Sequence, residues 1–357
     1  VDVGTTAVKV SVYDAALRTV GSALATSPTT WGSTTADVDL DVLWRTVGET
    51  VREAVAGSRP GVLVFTSQMG ALALLDGHGR PAGPALTGLD RRHDPEGGRD
   101  PRTLARLRYV AAHAPRLLED SSLLGGIKEV VVHWATGEWV TDPSSATVTG
   151  LYDWTSGQWE VPHDLSLPRL PDLVEPAAPV GTLLPEAADR LGLPATTRVL
   201  CGLGDGPASS LSAGAVGPDR ACITMGTTFV SRVLAPATVT MVSAPEPPRF
   251  LQHVSGQWFC TGMRLDSFDR HDLRGTALAD VLSSGEVQEL RVTGGLSSSS
   301  MMRQELADLS GLPVSSTGHG DGTAGVALLA LSPNDWLAEA RGQCVIETVF
   351  PRVGTAR

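Results

Sequence analysis

The chain carries one local design twice. Val1-Asp2-Val3, a Gly4-Thr5-Thr6 bend and a run with Val8, Val10 and Val12 at alternate positions make the first copy. Ala221-Cys222-Ile223-Thr224-Met225, a Gly226-Thr227-Thr228 bend and Phe229 to Leu234 make the second, 222 residues later. Apolar and β-branched residues at period two predict strands, and the glycine bend predicts that each pair closes as a hairpin. Two hairpins of one design in 357 residues predict two similarly built α/β domains facing each other.

Between the copies the pattern supports an N-terminal domain over residues 1–213, leaving 214–357 for the second. Asp41 opens a predicted helix with Val42, Leu43, Val47, Val51, Ala54 and Val55 at helical spacing, and Gly57 follows its end. Gly61 to Phe65 reads as a buried strand, and Ala71 to Leu75 as a second apolar run ending at Asp76-Gly77-His78-Gly79. Residues 93–126 are arginine-rich and weakly patterned. Proline becomes dense from Pro162 to Pro194, as in a connecting stretch wrapped over a surface. Val199-Leu200-Cys201 re-enters as a strand, followed by a small-residue helix from Ala208 to Ala213. In the second half, Val292 to Gly295 leaves a strand and passes through serines into a helix whose Met301 and Met302 are expected in the core. A glycine-rich turn, Gly320 to Gly325, precedes another helix, Val326 to Leu331.

Composition narrows the partners. A net charge of −11 disfavours nucleic acid or an anionic membrane surface as the main ligand. The apolar runs are far shorter than the roughly 20 residues that cross a bilayer, and no signal-peptide pattern stands at the N-terminus. Cys201, Cys222, Cys260 and Cys344 fit no zinc spacing. They read as reduced thiols, which favours a cytoplasmic location.

The bends also carry chemistry. Glycine turns with hydroxyl neighbours let backbone N–H groups and threonine oxygens approach phosphate. One turn per domain could grip a nucleotide from both sides, and Asp2 beside the first turn could hold a hydrated Mg²⁺. The plainer use of Gly4 and Gly226 is the hairpin turn alone. Asp205, in Gly202-Leu203-Gly204-Asp205-Gly206-Pro207, follows a strand directly and is flanked by glycines. A carboxylate there could accept a hydroxyl proton as that oxygen attacks a γ-phosphate. Its alternative role is an N-cap for the next helix.

Five segments, in order from residue 1 to about 331, resemble motifs of the FGGY carbohydrate kinases. They are Asp2 to Thr6 with Lys9, Thr66-Ser67-Gln68-Met69 through Asp76, Gly204 to Ala208 with Gly214-Ala215-Val216, Thr224 to Thr228, and Thr293-Gly294-Gly295 through Val314. The resemblance implies two ribonuclease H-like domains of the actin/hexokinase type with an intervening cleft, a sugar-binding one followed by a nucleotide-binding one. It implies transfer of the γ-phosphate of MgATP to a hydroxyl of a small sugar, polyol or sugar acid. By resemblance Asp205 is the base and a metal and substrate contact, and Asp2 serves the metal. Gly4, Thr5, Thr6, Lys9, Gly226, Thr227 and Thr228 serve phosphate, while Gly294, Gly295 and Ser298 line the nucleoside pocket. Gln68, Met69, Asp90 and Arg91 face the sugar. The implied partner is a small molecule, with a homodimer left open.

Departures accompany the likeness. Gly70 stands where several pentulose kinases have histidine, Leu296 replaces a third glycine of the adenosine motif, and the second domain is short. They motivate an alternative, a weak or inactive sugar-binding or regulatory protein on the same scaffold. Trp139, Trp154 and Trp159 read as packing anchors.

Overall fold

The computed structural model describes residues 1–93, 102–226, 229–237, 249–265, 278, 282 and 285–352. The chain divides into two compact units, Val1–Asp205 and Gly206–Arg357.

In the first unit the opening hairpin is β1 (Asp2–Val3) and β2 (Ala7–Tyr13), paired antiparallel with Asp2 opposite Lys9. Next come β3 (Thr19–Thr26), α1 (Leu40–Val55) and β4 (Val62–Ser67). Asp39 caps α1 by accepting the Val42 N–H, and Leu43, Val47, Val51 and Ala54 form its buried stripe. The weakly patterned stretch holds α2 (Thr103–His113) and α3 (Pro115–Glu119). It is followed by α4 (Ile127–Thr136) and the short α5 (Pro143–Thr147). Within the proline-dense stretch lie β5 (Pro179–Thr182) and α6 (Pro185–Leu191), and β6 (Arg198–Gly204) closes the unit. The sheet order is β5-β6-β4-β1-β2-β3. α1, α4 and α6 bury their apolar faces in one core with the central strands.

Two stretches hold more structure than their patterns show. The helices at Thr103–His113 and Pro115–Glu119 escape the apolar pattern because the buried face of α2 is built on Thr103, Arg106, Leu107 and Val110, so an arginine interrupts the stripe. Residues 162–194 do more than wrap a surface. α6 begins with Pro185 and ends at Gly192 in the left-handed region, a common helix start and stop, and it buries Ala187, Ala188 and Leu191.

The second unit starts within α7 (Asp205–Ser212), whose first residue closes the first unit. β7 (Arg220–Met225) and β8 (Phe229–Pro236) form the second hairpin, with Met225 opposite Phe229. They are followed by β9 (Arg249–Ser255), β10 (Trp258–Leu265), β11 (Glu289–Thr293) and α8 (Ser300–Ser310). β12 (Val314–Ser316), α9 (Thr323–Leu331), α10 (Trp336–Arg341) and β13 (Glu347–Val349) complete it. The sheet order is β9-β10-β8-β7-β11-β12-β13. Met302 packs against the core, but Met301 is 67 % exposed, contrary to expectation. The two sit side by side on α8, and only one of two adjacent helical positions can face the sheet. Among the described residues no helix is long and apolar enough to cross a membrane. The four cysteines form no disulfide among the described residues, and Cys344 is exposed.

Candidate active site

Three parallel strands end together in the first unit. β1 pairs with β4 (Val3 opposite Ser67), and β4 with β6 (Ser67 opposite Gly204). The next residues of the three strands, Gly4, Gln68 and Asp205, therefore meet at the carboxyl end of the sheet, where ligands of open α/β sheets bind. The Gln68 amide donates to Val3 O at 3.0 Å, and Thr5 Oγ1 donates to Gln68 Oε1 at 2.8 Å. The first bend and the Gln68 segment are thus one hydrogen-bonded structure.

The bend is tight. Gly4 donates to Ala7 O at 3.0 Å, while Thr5 and Thr6 keep amides without a backbone acceptor among the described residues. Two such N–H groups at a glycine turn suit phosphate oxygens. Asp2 is buried, with Lys9 Nζ 3.6 Å from its Oδ2. Among the described residues no group of three His, Cys, Asp or Glu side chains converges on a metal. A hydrated Mg²⁺ needs only one or two carboxylates when phosphate and water complete its shell, so Asp2 fits that ion and not a caged one.

Met69 lies over Gly204, where a Cβ would stand 2.0 Å from the Met69 sulfur. A small cavity of about 30 Å³ opens beside it, lined by Gln68, Met69, Glu129, Thr141, Ser145 and Trp159 among others. Trp159 donates from Nε1 to Pro171 O at 2.9 Å, and Trp139 is buried edge-on against His133. Both anchor packing, and Trp159 also shapes the cavity wall.

Asp90 is placed otherwise than expected. It is fully buried, with Oδ2 accepting the Ala36 N–H at 3.0 Å and Oδ1 the Arg92 N–H at 3.1 Å. Arg92 also bridges it to Asp37. Its carboxylate is spent on bracing the loop, because a buried charge must be paired, and the exposed Arg91 is the one that faces outward. Arg106, 1 % exposed, holds the same loop through the carbonyls of Thr87 and Gly88.

In the second unit β7 runs parallel to β11, with Thr224 opposite Thr293. Gly226 and Gly295 leave these strands at the same end. Gly294 has φ +89°, and a Cβ there would lie 2.3 Å from Met225 O, so only glycine lets the two backbones approach. Thr224 and Thr293 share a hydrogen bond at 2.9 Å, and Arg232 donates to Thr224 Oγ1 at 2.7 Å. Ser298 is exposed beside Gly295, and Leu296 is 40 % exposed. Thr227 and Thr228 lie outside the described residues.

Sequence reasoning missed a buried polar cluster behind Asp205. Lys128 on α4 is 1 % exposed, with Nζ 2.9 Å from Asp142 Oδ1 and 3.5 Å from Glu129 Oε1. Burial opposes charge on both partners, yet their attraction raises Lys128 above its usual range and lowers Asp142 below its own. Burial also pushes the nearby Cys201 thiol up to about 12. Two signals were available: Lys128 is one of only two lysines, and Asp142-Pro143 is a cap-plus-proline helix start.

Comparison with known proteins bears on this geometry. Residues 100–212 match the FGGY family of carbohydrate kinases, N-terminal domain. The autoinducer-2 kinase of Escherichia coli strain K12 is 33 % identical over 142 residues, covering 38 % of this chain and 27 % of that protein. That of Yersinia enterocolitica is 32 % identical over the same extent. These matches liken part of the chain, residues 100–212, to the N-terminal domain of that family. The chain spans 27 % of the length of the curated relatives it matches. Ligand-bound xylulose kinase from Lactobacillus acidophilus superposes with TM-score 0.85 at 18 % identity, covering 99 % of this chain and 94 % of that one. Gluconate kinase from the same organism gives 0.84 at 17 %, covering 99 % and 93 %. Plasmodium falciparum glycerol kinase with ADP gives 0.78 at 14 %, covering 98 % and 93 %. The expected FGGY fold, with two actin/hexokinase-like α/β domains, is therefore the fold observed.

Proposed function

We propose that this chain transfers the γ-phosphoryl group of ATP to a hydroxyl of a small sugar, polyol or sugar acid. The observation that carries the reading is the shared sheet end of Gly4, Gln68 and Asp205, fixed by the register of β1, β4 and β6. Phosphoryl transfer asks for positioning and charge neutralisation more than covalent help, and an edge where a glycine bend, an amide and a carboxylate converge suits the positioning.

In this reading Asp205 accepts the proton of the attacking hydroxyl, whose carbon skeleton lies against Gln68, Met69 and Arg91. Thr5, Thr6 and Lys9 hold phosphate oxygens from the first unit. In the second unit Gly226, Thr227 and Thr228 are the phosphate candidates, and Gly294, Gly295 and Ser298 those for the nucleoside. A bound Mg²⁺ would neutralise phosphate charge, and Asp2 and Asp205 are the carboxylates that would hold its water shell. Residues 1–213 then form the sugar-binding domain and 214–357 the nucleotide-binding domain.

The acceptor class is tested by coupled ADP release with xylulose, gluconate, glycerol and autoinducer-2, the molecules named for the relatives above. Turnover well above the ATPase background with at least one of them, or with a close analogue, is expected. Magnesium-dependent nucleotide binding with no acceptor phosphorylated would refute the kinase reading.

A further inference from the structure

The strand that delivers Asp205 is irregular. β6 pairs with β4 in register through Leu200, slips, and resumes at Leu203. At the slip Gly202 has φ +76°, and a Cβ there would fall 1.9 Å from Phe65 O. Cys201 and Gly202 turn their amides to Ala178 O and Pro176 O at 3.0 Å each. A bulge of this kind re-aims the residues beyond it, and Asp205 stands three residues past Gly202.

The buried cluster grips β6 at that bulge and again beyond it. Within the bulge, Lys128 Nζ donates to Cys201 O at 3.3 Å. After it, the Gly204 N–H donates to Ser144 Oγ at 3.0 Å. Ser144 donates its own hydroxyl to Asp142 Oδ2, which also accepts the Ser144 N–H at 2.8 Å. Asp142 in turn is held by Lys128 at 2.9 Å. The chain of contacts therefore runs from the Lys128 ammonium to the Asp142 carboxylate, the Ser144 hydroxyl and the amide of Gly204, the residue immediately before Asp205. Asp142 and Ser144 are fully buried and Lys128 nearly so, which leaves the relay one arrangement.

We propose that Lys128, Asp142 and Ser144 are positioning residues that aim the Asp205 carboxylate by anchoring the strand ahead of it. The inference rests on the reading of Asp205 as the base. A hydroxyl displaced by about 1 Å from its base can cost about 100-fold in rate. Removing the Ser144 hydroxyl frees the Gly204 amide while keeping the Lys128–Asp142 pair.

The test is a double-mutant cycle between Ser144→Ala and Asp205→Asn, with Asp142→Asn as a second relay variant that keeps shape and one accepting oxygen. Expected for Ser144→Ala is a fall in kcat of about 10- to 100-fold with acceptor KM within about twofold. In the Asp205→Asn background the same change should leave the residual rate unaltered, because a residue acting through Asp205 has nothing left to position. Asp142→Asn should move kcat in the same direction. Hydrogen exchange at the Gly204 amide should accelerate in Ser144→Ala whatever the activity. Wild-type kcat in Ser144→Ala, or an equal loss with and without Asp205, would overturn the proposal. Wild-type turnover in Asp205→Asn would instead overturn the base reading beneath it.

Discussion

Replacing Lys128 by methionine removes one charge from a site that contains two carboxylates and almost no solvent. Lys128 is 1 % exposed, Asp142 0 % and Glu129 6 % at their side chains. A buried pair broken on one side leaves an uncompensated charge, which costs about 3–5 kcal/mol. For a unit of this size that corresponds to a fall in Tm of roughly 6–20 °C. Six of the eight tryptophans lie in the first unit, so urea unfolding followed by tryptophan fluorescence reports mainly on it. The sign of the pH dependence is fixed as well. In the wild type Asp142 is depressed, so its contribution is present above the unfolded carboxyl range and lost as pH falls through the lower folded value. Lys128 is raised, so its contribution holds below the unfolded lysine value and fades only as pH climbs past the folded one. Without Lys128 burial dominates Asp142 and raises it, and protonation then relieves the variant. Its deficit should shrink between pH 7 and pH 5. Lys9→Met should cost less, since Lys9 is 36 % exposed. A loss under about 1 kcal/mol at pH 7 for Lys128→Met, or a deficit that grows on acidification, would refute the brace.

Other outcomes concern single positions. Gly202→Ala should lower the unfolding free energy, read from a lower urea midpoint, by more than the ~1–2 kcal/mol of left-handed strain, because the new methyl meets the Phe65 carbonyl. An unchanged midpoint would contradict the bulge. Gly294→Ala places a methyl against Met225 O and should separate β7 from β11. The expected result is a smaller ATP-dependent rise in Tm, and a wild-type shift would contradict the close approach there.

How much of the fold is legible in the sequence depends on what each residue buries. Both hairpins are legible because Val8 and Val10, and Ile223 and Met225, put apolar side chains into the core at period two. α1 is legible for the same reason at helical spacing. α2 and α4 are not, since Arg106, Lys128 and Glu129 occupy buried faces and are satisfied by partners distant in sequence. Asp90 is read as a sugar-facing carboxylate because Leu89-Asp90-Arg91-Arg92 resembles a polar segment of the family. Its donor Ala36, and the Asp37 to which Arg92 ties it, lie on a strand more than 50 residues away, which spacing cannot show. The Gly4, Gln68 and Asp205 segments stand out individually, but their meeting at one sheet end is a matter of strand order, which periodicity does not encode.

The central claim is tested most directly by acceptor phosphorylation and acceptor binding measured side by side on wild type and Asp205→Asn. The account predicts a loss of kcat of about 10²- to 10⁴-fold, the worth of a general base, with acceptor affinity within a few-fold of wild type. Turnover that survives the substitution would contradict it.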